Sequence, residues 1–251
     1  MTLERENAWV PKEKPRLKDM YPPAKSDQSI TIPFEKILDW LLDEDNRSRL
    51  EDHLDWYLRH YDGRFFEYFV QHSDQTRFSS WDILAVEALS VSVPTMAVKW
   101  LVEPDQVRDN LMDEVWAALG SGNKTLWSCA ESLLMTNKST LNESGALSQL
   151  YTCLRKRKIG PVTTSKLLAA KFPKVVPIKD SRIVALLELD PKDDLWLMFR
   201  KLFNDGEISL EKYLNQLVVP GECGEITSLR RLDIILWTES NARNIQIKTR
   251  K

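Results

Sequence analysis

Glycine is scarce in this chain, with eight in 251 residues, and strict alternation of apolar and polar residues is rare too. Sheets depend on tight turns and period-two runs, so the shortage of both points to helices. Cysteine is scarcer still. Cys129, Cys153 and Cys223 lie far apart, without zinc-site spacing, and read as reduced thiols of a cytoplasmic protein. The three histidines, His53, His60 and His72, form no metal-ligand pattern and read as surface or core residues. No apolar run approaches a membrane span and the N-terminus has no apolar leader, so no membrane partner is expected. A formal net charge of −2 argues against a protein that coats nucleic acid indiscriminately. Gly120-Ser121-Gly122 precedes no strand–helix unit and reads as a loop, and no cofactor is expected.

What is present describes an ordinary globular chain, 43% apolar and 29% charged. The expected fold is all-α: one multi-helical body over residues 31–240, preceded by an extended or disordered, proline-rich arm (1–30) and followed by a basic tail (241–251). Helical spacing begins at Phe34, Ile37, Leu38, Leu41 and Leu42. A charged patch from Asp43 to Arg49 reads as an interruption before His53, Leu54, Trp56 and Tyr57, and Gly63 marks a turn. Phe65, Phe66, Tyr68 and Phe69 read as core. Ser79 and Asp82 have capping-box spacing. They open a helix through Ile83, Leu84, Val86 and Leu89 that reads as the central buried one, with Glu87 embedded in it as a solvent-facing or paired carboxylate. Pro94 opens the next helix, 105–119 forms another, and Leu126–Leu134 reads as a short one. Pro191 starts a later helix, and Ser209 and Thr227 cap the last two.

One segment gathers positive charge. Between Arg155 and Arg182 lie nine lysines or arginines and one acid, Asp180, in a chain that is otherwise acidic. Leu147, Leu150, Tyr151 and Leu154 carry a helix into Ile159-Gly160-Pro161. A second helix follows through Leu167 and Leu168 to Phe172-Pro173. Helix, glycine turn, helix over about 147–172 has the form of a helix-hairpin-helix. A missing Cβ at the turn lets a phosphate approach the amides, and the second helix aims its first free N–H groups the same way. Lys158 and Lys166 would add salt-sensitive phosphate contacts. The apolar run Val175-Val176-Pro177-Ile178 then delivers Asp180.

This stretch resembles the hairpin and catalytic-aspartate segment of the helix-hairpin-helix DNA glycosylase superfamily, the endonuclease III and MutY group. Gly160 matches the second hairpin glycine, Thr163 the threonine two variable residues on, and Asp180 the aspartate twenty residues after the glycine. Lys158 replaces the first glycine, and Thr164 replaces an alanine. Val162 stands where bifunctional members carry their lysine, and the four-cysteine loop is missing. The resemblance therefore implies a monofunctional enzyme without an iron–sulfur cluster, with DNA as partner. Lys158, Gly160, Val162, Thr163, Lys166 and Arg182 would hold the nucleic acid, and Asp180 would be the catalytic carboxylate. A second resemblance covers roughly residues 55–240. Tyr61-Asp62-Gly63, the stretch from Arg77 to Pro94, and Leu229-Arg230-Arg231-Leu232-Asp233-Ile234-Ile235-Leu236-Trp237 are similar to an uncharacterised bacterial family common in actinobacteria. That likeness implies no activity.

Asp180 carries two compatible readings. It sits where a helix N-cap belongs, and it can stabilise an oxocarbenium-like sugar or activate water once a base is extruded. Asp233 also has two. Leu229, Leu232, Asp233 and Leu236 share a helix face, so a carboxylate lies in an apolar stripe. It is either paired with an arginine such as Arg182 or Arg230, or it is a second catalytic carboxylate near Asp180 with a raised pKa. Three functions fit these features: a DNA-binding protein related to glycosylases, a non-catalytic nucleic-acid-binding or scaffold protein, and a protein-interaction module.

Overall fold

Asp43 shows how this chain turns corners. Its carboxylate accepts a hydrogen bond from the Asp45 amide (3.1 Å) and starts a helix one residue after the previous helix has ended. The structure, a computed structural model, describes residues 31–120, 122–135, 144–155, 157–190, 193–220 and 225–245. Thirteen α-helices and two short 3-10 turns occur among them, with no strand, so the fold is all-α as expected. The arm (1–30), the end of the tail (246–251), Lys156, Pro191 and Cys223 lie outside the described residues.

The helices gather in two groups. The first contains α1 (Ile37–Leu42) and α2 (Glu44–His60), joined later in the chain by α10 (Ser181–Leu186), α11 (Leu195–Asn204), α12 (Leu210–Gln216) and α13 (Ser228–Ala242). α13 packs against α2, α10 and α12. The second group is continuous: α3 (Phe65–His72), α4 (Ser80–Ala88), α5 (Thr95–Val102), α6 (Gln106–Ala118), α7 (Glu131–Leu134), α8 (Ala146–Arg155) and α9 (Pro161–Lys171). There α3 packs on α4, α6 on α8, and α9 on both α4 and α8. The chain crosses between groups at the 3-10 turn Asp62–Arg64 and again along residues 172–180. The first crossing is tight: a Cβ on Gly63 would lie 2.1 Å from the Tyr57 hydroxyl.

The most buried helices are α9 and α13, not α4. Every residue of α9 from Thr163 to Lys171 is buried, and in α13 only Arg231, Trp237 and Asn241 are not. α4 keeps Leu84 and Glu87 exposed. It is apolar around much of its circumference, but neighbours cover only one side, a property of tertiary packing that periodicity does not carry. Its capping box is present, with both Ser79 and Asp82 engaged.

Three further expectations change. The charged patch after Asp43 does not interrupt a helix; it is the first turns of α2. Acidic residues suit a helix start, and Arg47 pairs with Glu51 one turn on (3.5 Å). The short helix expected over Leu126–Leu134 shrinks to Glu131–Leu134. Arg200 claims the carbonyls of Leu126 (2.6 Å) and Cys129 (2.8 Å), and the Leu126 amide binds the Lys174 carbonyl (2.9 Å). Those groups are thereby lost to a helical ladder. Of the aromatics on α3, Phe66 is buried but Phe65 and Tyr68 are exposed, at 38% and 51%.

Two buried ionic clusters tie the helices together. Between α2 and α13, Glu239 accepts from Arg49 (2.8 and 3.0 Å), His53 (2.5 Å) and Arg243 (2.6 Å). These donors outweigh burial and hold its carboxyl down at about 2. Burial pulls the His53 imidazole below its ordinary value, against the opposing influence of Glu239. Between α4 and α9, Lys171 pairs with Asp82 (2.8 Å) and donates to Ser73 (2.7 Å) and the Asp74 carbonyl. Its ammonium is held below the usual lysine range by burial.

Candidate functional site

The α8–α9 connection explains how the basic segment is built. Arg155 folds back to donate to the Ile159 carbonyl (2.9 Å), and Ile159 is fully buried, which anchors the turn. The left-handed residue is Lys158, at φ 61°, and not Gly160. Gly160 is extended (φ −62°, ψ 158°) and N-caps α9, with Pro161 in the first turn. A Cβ on Gly160 would meet nothing nearer than Thr163 Oγ1 at 4.0 Å. The strained position of the turn therefore coincides with the place where the resemblance expects the first glycine, and it is occupied by lysine.

The positive charge is less exposed than its density in the sequence suggests. Lys166, expected to reach phosphate, is 4% exposed and donates to the Leu89 carbonyl (2.8 Å) inside the body. Lys171 is buried against Asp82. Arg157 leans over the Trp100 ring (4.8 Å) and pairs with Asp105 (3.6 Å). Lys158 and Lys174 are exposed and Arg182 is half-buried. Thr163 is buried and Val162 half-buried. Helix spacing decides which of these side chains face inward, and that depends on neighbours absent from the local pattern.

Residues 172–180 run from α9 to α10 and are stitched from both sides. Ser165 on α9 donates to the Pro177 carbonyl (3.1 Å) and accepts from the Lys179 amide (2.9 Å). Asp233 on α13 accepts from the Ile178 amide (3.1 Å). Asp180 then caps α10, accepting from the Arg182 amide (2.9 Å) while staying half-buried.

The structure brings the two carboxylates singled out in the sequence to one place. A cavity of about 30 Å³ lies in the seam between the helix groups, bounded by Asp180, Asp233, Lys166, Arg230, Tyr57 and Trp237. Burial lowers the Lys166 pKa, and the nearby Asp180 charge opposes that shift. Asp233 is almost wholly buried, and burial pushes its carboxyl up to about 7. The Arg230 charge and the Ile178 amide act against the rise, while Asp180 and Glu67 add to it. Arg230 is not its ion-pair partner. That guanidinium pairs with Glu67 (2.6 Å) and donates to the Tyr57 hydroxyl (2.8 Å). Asp233 makes no ion pair among the described residues, and its Oδ1 lacks any hydrogen-bond partner.

A larger cavity, about 480 Å³, adjoins the small one, and Ile178, Arg230 and Asp233 belong to both walls. It lies between α3, α6, the end of α9 and the start of α13. Glu67 and Trp116 line this cavity and Ser165 holds the neighbouring 172–180 segment, and nothing in their local sequence marked them. Among the described residues no group of three or more His, Cys, Asp or Glu could hold a metal ion, and no helix is long and apolar enough to cross a membrane.

An all-α body with a polar seam between two helix groups is the class of protein that this geometry defines. The chain belongs to the family described as a family of unknown function (DUF6308), whose model matches residues 50–240. No curated protein and no solved structure matches it.

Proposed function

We propose that this protein binds DNA through a helix-hairpin-helix formed by α8, the turn at 157–160 and α9, and that Asp180 hydrolyses the N-glycosidic bond of an extruded base. The observation that carries the reading is the meeting of Asp180 and Asp233 at one small cavity that Lys166 of α9 also lines. The α9 N-terminus has no side-chain cap, and its first-turn amides at Val162 and Thr163 have no intrahelical acceptor, which suits a phosphate beside the exposed Lys158. In the reaction the C1′–N bond breaks, water adds at C1′, and its proton passes to the carboxylate of Asp180. The departing base takes a proton in turn. Asp233, titrating near neutrality, is suited to supply it.

The test is base release. Duplexes carrying damaged or modified bases are incubated with the wild-type protein and with Asp180→Asn, and abasic sites are scored. Release that is lost in the variant supports the reading. Salt-sensitive binding without release by either protein leaves a DNA-binding module in which Asp180 is a helix cap. With neither binding nor release, the nucleic-acid reading fails.

A second reading, a protein-interaction module, is favoured by one feature. Tyr68, His72, Trp81 and Phe69 form a ring cluster on α3 and α4, with Tyr68 and His72 4.4 Å apart and His72 and Trp81 5.3 Å apart. Tyr68, His72 and the neighbouring Leu84 are exposed.

A further inference from the structure

The larger seam cavity carries more unsatisfied polar chemistry than a packing gap explains. Three of its wall residues hold buried atoms with no hydrogen-bond partner among the described residues: Glu67 Oε2, Asp233 Oδ1 and the indole Nε1–H of Trp116. Glu67 and Asp233 are themselves 8% and 3% exposed. Each has its other carboxylate oxygen in use, Glu67 Oε1 on Arg230 and Asp233 Oδ2 on the Ile178 amide. The free oxygens are therefore held in place by bonds on their neighbours. Native interiors leave few such atoms unpaired, and a cluster of them on one cavity marks a place where a ligand completes the pairing.

Three aromatic rings, Phe66, Trp116 and Phe172, form part of the wall, beside aliphatic Leu119 and Val176 and polar or charged residues such as Gln71 and Lys174. Phe66 and Phe172 are both 2% exposed, and the Trp116 ring lies 5.2 Å from that of Phe172. Gly122 sets the Trp116 position. At φ 85°, it brings its backbone so close that a Cβ would stand 2.9 Å from the indole. Rigid rings around a few fixed polar atoms suit a flat heterocycle. At about 480 Å³ the space falls within the range of small-molecule sites, roughly 300–1,000 Å³.

We infer that this cavity binds an amino-bearing nucleobase, of the adenine, cytosine or guanine kind. Glu67 Oε2 takes an N–H of the exocyclic amine, Trp116 Nε1–H donates to a ring nitrogen or carbonyl, and Asp233 Oδ1 meets the next polar atom of the base edge. Thymine and uracil carry no amine for Glu67. A base that brings only a carbonyl there leaves the buried carboxylate oxygen unpaired, the situation that gives a built hydrogen-bonding site its selectivity.

The experiment titrates the full-length protein calorimetrically with free adenine, cytosine, guanine, thymine and 6-dimethylaminopurine. The last keeps the adenine ring and removes both amine N–H groups. A parallel arm presents adenine, cytosine, guanine or thymine as a single unpaired residue in an oligonucleotide; only this arm rests on the nucleic-acid reading above. The expected result is binding of the amino-bearing bases at least about tenfold tighter than of thymine or 6-dimethylaminopurine. Trp116→Phe, which keeps a ring and removes the donor, should weaken adenine binding several-fold. A preference for amines seen with free bases assigns the cavity to a soluble base or nucleoside; seen only in the oligonucleotide arm, it assigns the base to a nucleic acid. Equal affinity for adenine and 6-dimethylaminopurine, or no amine preference in either arm, overturns the inference. If hairpin binding to DNA fails while the free-base preference holds, the proposed function falls and the cavity assignment stands.

Discussion

Helix α13 buries two carboxylates six residues apart, and they have opposite fates. Glu239 is met by Arg49, His53 and Arg243 and is held ionised, with its carboxyl at about 2. Asp233 receives one backbone amide and is pushed up to about 7. Both lie on the same helix in the same body, so burial alone does not decide what a buried acid does; the donors that reach it decide. Glu239 looks toward α2, where two turns of a long helix supply the donors Arg49 and His53. Asp233 looks into the seam, where Arg230, whose charge acts on it, is already paired with Glu67. One end of the helix is a fastening and the other is poised to exchange a proton or a partner.

Removing the fastening should have the largest effect. Glu239→Ala removes the buried acceptor shared by His53, Arg49 and Arg243, and chemical denaturation should show a loss of about 3–5 kcal/mol. At Asp233 the sign reverses. Its folded pKa lies above the unfolded value of 3.8, so in the folded state it stays protonated to higher pH, and its ionisation costs stability as pH rises toward about 7. Asp233→Asn abolishes that titration and keeps an acceptor for the Ile178 amide. Its stability relative to wild type should therefore climb by about 2–3 kcal/mol between pH 5 and pH 8. Glu239 behaves in the opposite sense. Its folded pKa is depressed, so its contribution is complete above pH 4.5 and disappears as pH falls through about 2. A flat difference between Asp233→Asn and wild type across pH would erase the contrast between the two acids.

The smallest effects belong to the turn. Lys158 sits in the left-handed region and Gly160 does not. Lys158→Gly should thus stabilise by up to about 1 kcal/mol. Gly160→Ala should be close to neutral, since a Cβ there has open space. Thermal melts of the two variants check both, and a costly Gly160→Ala would show that the turn is tighter than its torsions indicate.

Much of the architecture was legible because it is local. The caps at Ser79, Asp180, Ser209 and Thr227 are each read within a few residues of sequence, and each is present. Asp233 was legible as an acid in an apolar stripe, and the seam is where it lies. The fate of the lysines was not. Lys166 ends on a carbonyl 77 residues away, and Lys171 on Asp82, a residue whose local pattern announced only a cap. Glu67 lies between Phe66 and Tyr68 with no local pattern around it, and its pairing with Arg230 spans 163 positions. Charge density along a chain reports what is available to a surface, and packing decides how much reaches it. Nine basic residues in the segment therefore overstate its positive face.

The bond between Asp233 and the Ile178 amide has a mechanical consequence. The segment that ends in Asp180 is latched at two points, by the Ser165 hydroxyl from one helix group and by the Asp233 carboxylate from the other. The first latch is neutral and indifferent to pH. The second is charge-assisted while Asp233 is ionised and weaker once it is protonated. A single proton on α13 thus sets how firmly the strap carrying Asp180 is held, and any ligand that changes the ionisation of Asp233 pulls on that strap without touching it.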